Sequence, residues 1–330
     1  MHDTAQKMPP LAEFLLTKHL PCASLAFAML SGVVWLPGLF MSVPALAVLM
    51  SFVAIIIHAM TPALIMIIFM GGGIRYTLQV LVILSIMMLF ASSMHIGLTL
   101  LVISLYALLP MGAAWMLYRP QGLDAAARLL LLSVSVGVLL GLMGMAQTSG
   151  LDLHAQMDAL LAPVFSSMTA SGAGLPTEAT AELHQLLSWS LPGLLMFGIW
   201  SVWWTNVLYA RNIAIKYGFY TGDERSVLSL NLGRYVAYLL LLCLLLGNLT
   251  GGILQYSAVS FALVLAGAMS IQGISVMHTW LKVHDMPMAI VLMYVLLFIW
   301  SMMVIPFIIL GLLDIWYDYR RGLDSTSGGN

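Results

Sequence analysis

Long apolar stretches, separated by short polar ones, make up most of the chain. Each of them is long enough for a helix to cross ~30 Å of hydrocarbon. The nine stretches lie at residues 21–41, 43–70, 76–93, 96–118, 127–147, 186–209, 234–250, 253–281 and 287–313. Because a backbone in lipid must satisfy its hydrogen bonds internally, the pattern predicts an all-α protein, a polytopic transmembrane helical bundle.

Positive charge sets the expected orientation of this bundle, since loops rich in Lys and Arg stay in the cytoplasm. Lys7 and Lys18 place the N-terminus there. The loop at about 148–185 has no Lys or Arg and should face outward. Nine crossings would leave Arg320 and Arg321 outside, so eight crossings are preferred, with nine as the alternative. Under eight crossings, the stretch that fails to cross is expected to be 43–70 or 253–281.

The predicted organisation has three parts. Residues 1–20 form a cytoplasmic N-terminal segment, residues 21–313 a single transmembrane domain, and residues 314–330 a short C-terminal tail. No clear small-residue cleavage site follows the first apolar stretch, so we interpret that stretch as a retained span. Apolar residues in the outer loop recur at helical spacing, which predicts a helix on the outer surface or over the end of the bundle.

Composition agrees with lipid as the solvent. The chain is 62% hydrophobic and 8% charged, whereas soluble domains carry about 25% charged residues. A net charge of −1 and the absence of a basic patch give no reason to expect nucleic acid. Cys22 and Cys243 lie far apart in apolar runs and indicate neither a disulfide framework nor a metal site. The expected partner of the chain is therefore the lipid bilayer.

Enzymatic motifs are not found along the sequence. It has no HExxH, no P-loop, no CxxC pair and no nucleophile elbow. His154 and Asp158 stand four apart in the outer loop, but two ligands alone make a weak metal site, and a solvated surface is the simpler interpretation. We therefore predict no catalytic residue, no metal, no cofactor and no enzyme activity.

Four polar residues inside apolar stretches are candidates for binding a small solute: His58, Asn206, Ser270 and Gln272. Polar groups at membrane depth are costly and usually face a bundle interior or a cavity. The plainer alternative is a neutral imidazole at His58 and interhelical hydrogen bonding at Asn206. Pro62, close to His58, should kink its helix or split it. Gly273 opens space beside Gln272.

Charged and aromatic residues are most concentrated where the last apolar stretch ends. Asp314 follows Leu313 directly, before the interfacial aromatic residues begin. We predict that Asp314 pairs with a basic group from another segment, such as Arg75, Arg211 or Lys282. The residues of this predicted structural latch are Asp314, Asp318, Arg211 and Arg321.

Short pieces of the sequence resemble the YybS-like family of bacterial inner-membrane proteins of unknown function. These pieces are Asn206 with Ala210-Arg211, Gln272-Gly273 with Val276 and His278, and Gly311-Leu312-Leu313-Asp314 with Asp318 and Arg320. That family is thought similar to the substrate-capture subunits of energy-coupling-factor vitamin transporters. The resemblance implies a multi-pass bundle in the bacterial cytoplasmic (inner) membrane that can hold a small molecule. The small pair Ser24 and Ala28 departs from the Ala-x-x-x-Ala face by which such subunits contact their partner.

Two functions follow as hypotheses. The first is an integral inner-membrane protein that binds or transports a small-molecule ligand, as a transporter substrate-capture subunit does. The alternative is a non-transport membrane scaffold or assembly partner, whose loops and tail would contact another membrane protein. The proteins recovered by affinity purification in mild detergent would discriminate between the two.

Overall fold

The computed structural model describes residues 10–170 and 177–320. Within these ranges the chain folds into α-helices joined by short turns, without a β-strand, so the all-α prediction is confirmed there. Lys7 and Arg321 lie outside the described residues. The helices before the outer loop are α1 (Pro10–Thr17), α2 (His19–Trp35), α3 (Pro44–Ala59), α4 (Thr61–Ala91), α5 (Ile96–Ile103), α6 (Leu109–Met116) and α7 (Gly122–Ser149). The later ones are α8 (Leu153–Ala170), α9 (Thr177–Lys216), α10 (Gly233–Leu249), α11 (Gly252–Val283), α12 (Pro287–Ile299) and α13 (Val304–Tyr317).

Five helical stretches of the described chain are long and apolar enough to cross a membrane. They are Pro44–Ala91, Ile96–Met116, Gly122–Ser149, Glu178–Lys216 and Gly252–Val283. Helices α12 and α13 would make a sixth if they formed one span, but they meet at a bend of 120°. The structure thus supports an integral membrane protein with five or six long spans, whereas the sequence predicted eight crossings.

The lower number has a simple origin in helix length. Helices α2 and α10 are apolar but have 17 residues each, slightly short of a full span. The stretch Pro44–Ala91, by contrast, has 48 residues and is counted once. As a straight helix it would measure ~70 Å, more than twice the hydrocarbon thickness.

This long stretch is interrupted at Gly73. The glycine has φ 72° and ψ 179°, inside the region of positive φ that favours glycine, so α4 consists of two helical halves. Ile65 and Ile68 before the break share one hydrophobic cluster with Val80 and Leu84 after it. Both halves therefore pack into the same core, which also contains the buried face of α2.

The described chain forms two compact units. The first comprises the residues up to Leu130 together with Ser201–Glu224, and the second comprises Leu131–Trp200 with the residues from Arg225 onward. In the second unit, α11 and α13 meet in backbone contact at Gly273 and Gly311. A Cβ on Gly273 would collide with the carbonyl of Phe307, and one on Gly311 with that of Met269. Only glycine fits at this crossing, which brings Gln272 beside Asp314.

Candidate functional site

The first unit contains a helix break, defined here as Ala59–Ala63, in the middle of a long apolar stretch. Helix α3 ends at Ala59, and α4 begins at Thr61 with Pro62 in its first turn. Proline has no N–H to donate and its ring suits the first turn of a helix, so Pro62 accounts for the position of the break. A helix end leaves backbone groups without partners in their own helix, and inside a bilayer no water could satisfy them.

Asn206 of α9 bridges the two sides of this helix break. Its Nδ2 donates to the carbonyl oxygens of Ala59 and Val202, both at 2.8 Å. Its Oδ1 accepts from the amide of Ala63 at 3.1 Å. The side chain is buried, with 2% exposed. The amide is thus fully used by main-chain groups, as the interhelical alternative expected.

His58 lies one residue before this bridge and joins two other elements. Its Nδ1 is 3.0 Å from the carbonyl oxygen of Leu30 in α2, and its Nε2 is 2.7 Å from the hydroxyl of Tyr106. A carbonyl only accepts, so Nδ1 carries the proton of the neutral ring and Nε2 accepts from Tyr106. Tyr106 lies in a π-helical turn between α5 and α6 and packs edge-on against Trp203.

Thr61 is the member of the helix break that sequence reasoning did not select. Its side chain is fully buried, and its hydroxyl has no hydrogen-bond partner within the described chain. The Ser201 hydroxyl on α9 is also buried and unpaired there. Leaving a buried hydroxyl unpaired costs about 1–3 kcal/mol. A polar group in this position is therefore suited to a partner that is not part of the chain.

Arg211 of α9 takes part in a second polar cluster of the first unit. It is 3% exposed, and its Nε donates to the carbonyl oxygen of Asp223 at 2.9 Å. The Asp223 carboxylate accepts from the amide of Leu123 at 3.1 Å, at the start of α7. Burial raises the pKa of Tyr220 to about 12, although the neighbouring Arg211 acts in the opposite direction. This cluster fastens the loop after α9 to the start of α7.

The remaining candidates lie in the second unit. Ser270 donates to the carbonyl of Gly267 at 2.7 Å, a bond within its own helix. Asp314 is fully buried; its Oδ2 accepts from Gln272 Nε2 at 2.9 Å and from Arg320 at 2.6 Å. The same carboxylate accepts from the amide of Tyr319 at 3.2 Å. We call Asp314, Gln272 and Arg320 the Asp314 cluster.

This cluster also holds the segment that connects α9 to α10. Arg320 donates to the carbonyl oxygens of Leu228 at 2.6 Å and Leu230 at 3.0 Å. Gln272 Oε1 accepts from the amide of Leu232 at 2.9 Å. The hydrogen-bonding groups of Gln272 and Arg320 are therefore engaged with the protein itself.

Asp318 shapes the turn that makes the ion pair of this cluster possible. It ends α13 in a left-handed conformation, with φ 45° and ψ 59°. The chain reverses there, and Arg320 returns to Asp314, six residues earlier. Asp318 is itself exposed and does not extend the helix. The structure thus gives Asp314 a cation from its own C-terminal end.

Two histidines and an aspartate meet where α8 and α9 contact each other in the second unit. His154 Nδ1 is 3.3 Å from Asp158, and His184 Nδ1 is 3.9 Å from the same carboxylate. Ser188 contacts the other side of the His154 ring at 3.2 Å and is 1% exposed. The described residues include no group of three or more His, Cys, Asp or Glu side chains placed to hold a metal ion. These contacts attach α8 to α9.

A cavity of about 200 Å³ lies against α11 and α13 in the second unit. The residues that line it are Val276, Met277, Trp280, Leu310 and Tyr319. Tyr319 lines this apolar cavity, and its backbone amide donates to the Asp314 carboxylate. The Asp314 cluster therefore positions one of the residues that line the cavity.

Comparison with known proteins gives one match. A family model described as "Predicted membrane protein (DUF2232)" matches residues 38–315, a range that includes the helix break and Asp314. No curated protein and no solved structure matches the chain. The match covers most of the chain and agrees with its long apolar helices. The protein therefore belongs to the DUF2232 family of predicted membrane proteins.

Proposed function

We propose that this protein binds a small polar solute within the membrane, at the helix break of the first unit. The observation that carries the proposal is the buried hydroxyl of Thr61, which has no hydrogen-bond partner within the described chain. In sequence, Thr61 lies between Ala59 and Ala63, the two residues that Asn206 bridges. Helices interrupted at membrane depth are a recurrent site for solutes, because helix ends present polar groups there. His58 borders this site, and Asn206 holds the two sides of the break together through its main-chain hydrogen bonds.

The same observation favours solute binding over the alternative of a membrane scaffold. A purely structural break would be best served by apolar side chains around the Asn206 bridge, since each unpaired hydroxyl lowers stability. Solute binding gives Thr61 a role and agrees with the resemblance to substrate-capture subunits. In this proposal Gln272 has a structural role, because Leu232 and Asp314 already use its amide.

The proposed topology has eight crossings in a bacterial inner membrane, with the N-terminus in the cytoplasm. The crossings are α2, α3 with the first half of α4, the second half of α4, α5 with α6, α7, α9, α10 and α11. Helices α12 and α13 meet at a bend of 120°. In this topology they enter and leave on the cytoplasmic side, so the stretch that does not cross is 287–313 instead of the expected 43–70 or 253–281. Arg320 supports this, because it bonds to Leu228 and Leu230 in the loop between α9 and α10. That loop carries Arg225 and follows Lys216, so the positive-inside rule is satisfied with Arg320 inside.

The solute site is tested by ligand-induced stabilisation. Purified protein in lipid nanodiscs is heated with neutral amides, polyols, amino acids and monocarboxylates, and solutes that raise the melting temperature are retained. Thr61→Val keeps the shape of the side chain but removes the hydroxyl. We expect Thr61→Val to melt higher without solute and to lose the solute-induced shift.

Thr205→Val is the matched control. Thr205 lies on the same α9 as Asn206, is exposed, and bonds only to Ser201 of its own helix. Its substitution should leave the solute-induced shift unchanged. If Thr61→Val and wild type respond equally to every stabilising solute, the site is not at the helix break.

A further inference from the structure

His58 is bonded in a way that suits two protonation states equally. In the neutral ring, Nδ1–H donates to the Leu30 carbonyl and Nε2 accepts from the Tyr106 hydroxyl. A hydroxyl is both a donor and an acceptor, so it can also accept from a protonated Nε2–H by rotating about its C–O bond. The Leu30 bond is the same in both states. Proton binding therefore requires no movement of a heavy atom.

Proton binding has a definite consequence for Tyr106. Once Nε2 carries a proton it no longer accepts, and the Tyr106 O–H must donate elsewhere. A proton taken up from water at Nε2 thus turns Tyr106 into a hydrogen-bond donor for a ligand. The proton count balances, because one proton enters and no covalent bond other than N–H forms.

We propose that His58 is the proton-binding group of the solute site, and that the solute bound together with the proton is a small monocarboxylate. The inference rests on the proposed solute site at the helix break. An imidazolium in an apolar stretch is costly unless an anion accompanies it. A monocarboxylate neutralises that charge and accepts the hydrogen bond that the Tyr106 hydroxyl offers once Nε2 is protonated.

Among the described residues, the elements around His58 supply no carboxylate that could take over this role. The titratable side chains on the elements packed around it are His19 and Cys22 of α2, Arg75 and Tyr76 of α4, Tyr106, and Tyr209, Arg211 and Lys216 of α9. Within the first unit, none of these elements contains an Asp or Glu. The part of α9 that belongs to this unit begins after Trp200. The partners described for His58 are Leu30 and Tyr106. The compensating negative charge is therefore assigned to the ligand.

The test measures proton uptake and carboxylate binding together, in full-length protein in nanodiscs. Acetate, lactate and benzoate are added in weak buffer with a pH indicator, and their binding is measured by calorimetry across pH 6–8. Coupling predicts proton uptake on binding and an affinity for the carboxylate that improves as the pH is lowered, as linkage requires.

His58→Gln preserves both hydrogen bonds, since its amide donates to Leu30 and accepts from Tyr106, but it does not titrate. We expect it to lose proton uptake and the pH dependence of affinity. Tyr106→Phe should weaken carboxylate binding without changing the fold, and the control His154→Gln, in the second unit, should behave as wild type. Nitrogen-15 NMR of labelled histidine should show His58 protonated at Nδ1 in the neutral form.

The outcomes separate this inference from the solute site itself. Carboxylate binding without proton uptake, or with equal uptake in His58→Gln, would overturn the role of His58 and leave the site intact. Stabilisation by neutral solutes alone would overturn the ligand class. If no solute of either class stabilises the protein, both the role of His58 in carboxylate binding and the solute site at the helix break are refuted.

Discussion

The Asp314 cluster offers a quantitative test of how the second unit is held together. Arg320→Gln removes the cation that contacts the fully buried Asp314 carboxylate and loses the fork that reaches Leu228 and Leu230. Two donors remain for Asp314, from Gln272 and the amide of Tyr319. Removing one member of a buried ion pair costs about 3–5 kcal/mol, because the other charge is left uncompensated.

The assay is thermal unfolding of the variants in one detergent. A loss of about 3–5 kcal/mol in a unit of this size lowers the melting temperature by on the order of 10 °C. The control is Arg234→Gln, an exposed arginine of the same unit at the start of α10. Adding Asp314→Asn to Arg320→Gln should recover part of the loss, because the pair is then neutral. Equal melting temperatures for Arg320→Gln and Arg234→Gln would refute the reasoning.

Three further predictions concern the bridge, the helix crossing and the topology. Asn206→Leu removes the donor to the Ala59 carbonyl, whereas the Ala63 amide keeps its bond to Met60, and should destabilise the protein by about 1–3 kcal/mol; a change below that of the control Thr205→Val would contradict it. Gly311→Ala should separate α11 from α13 and lower the melting temperature, whereas Gly198→Ala, where a Cβ meets nothing within 4 Å, should not. Asp318→Cys and Lys216→Cys should both react with a membrane-impermeant thiol reagent from the cytoplasmic side, and labelling of Asp318→Cys from the outer side would rule out eight crossings.

Sequence reasoning recovered the class of the fold because hydropathy and the lipid solvent determine it. The apolar stretches predicted at 43–70 and 76–93 are separated where Gly73, a residue suited to positive φ, breaks α4. Pro62 marked the helix break for the same reason, since proline removes a helical donor. Features that arise from backbone chemistry were therefore visible in the sequence.

Contacts between distant segments were not predictable in this way. The sequence showed that Asp314 needs a cationic partner. Its partner is Arg320, which reaches it because Asp318 adopts a left-handed conformation and reverses the chain, and a prediction that continues the helix cannot foresee this turn. Gln272 appeared to be available for a solute because its bond to Leu232 joins residues 40 positions apart. Thr61 had no signal of its own, because threonine is common in membrane helices and only burial shows that its hydroxyl is unpaired.

The claim that a solute binds at the helix break is tested most directly by placing a thiol there. Thr61→Cys is reacted with a small methanethiosulfonate reagent in the presence and absence of a stabilising solute. Native Cys22 and Cys243 are first replaced by Ser, because Thr61 is as buried as they are and slow modification must be assigned to one thiol. The account predicts that the solute slows modification of Thr61→Cys and leaves the control Thr205→Cys unaffected. Equal rates with and without solute at Thr61→Cys would contradict it.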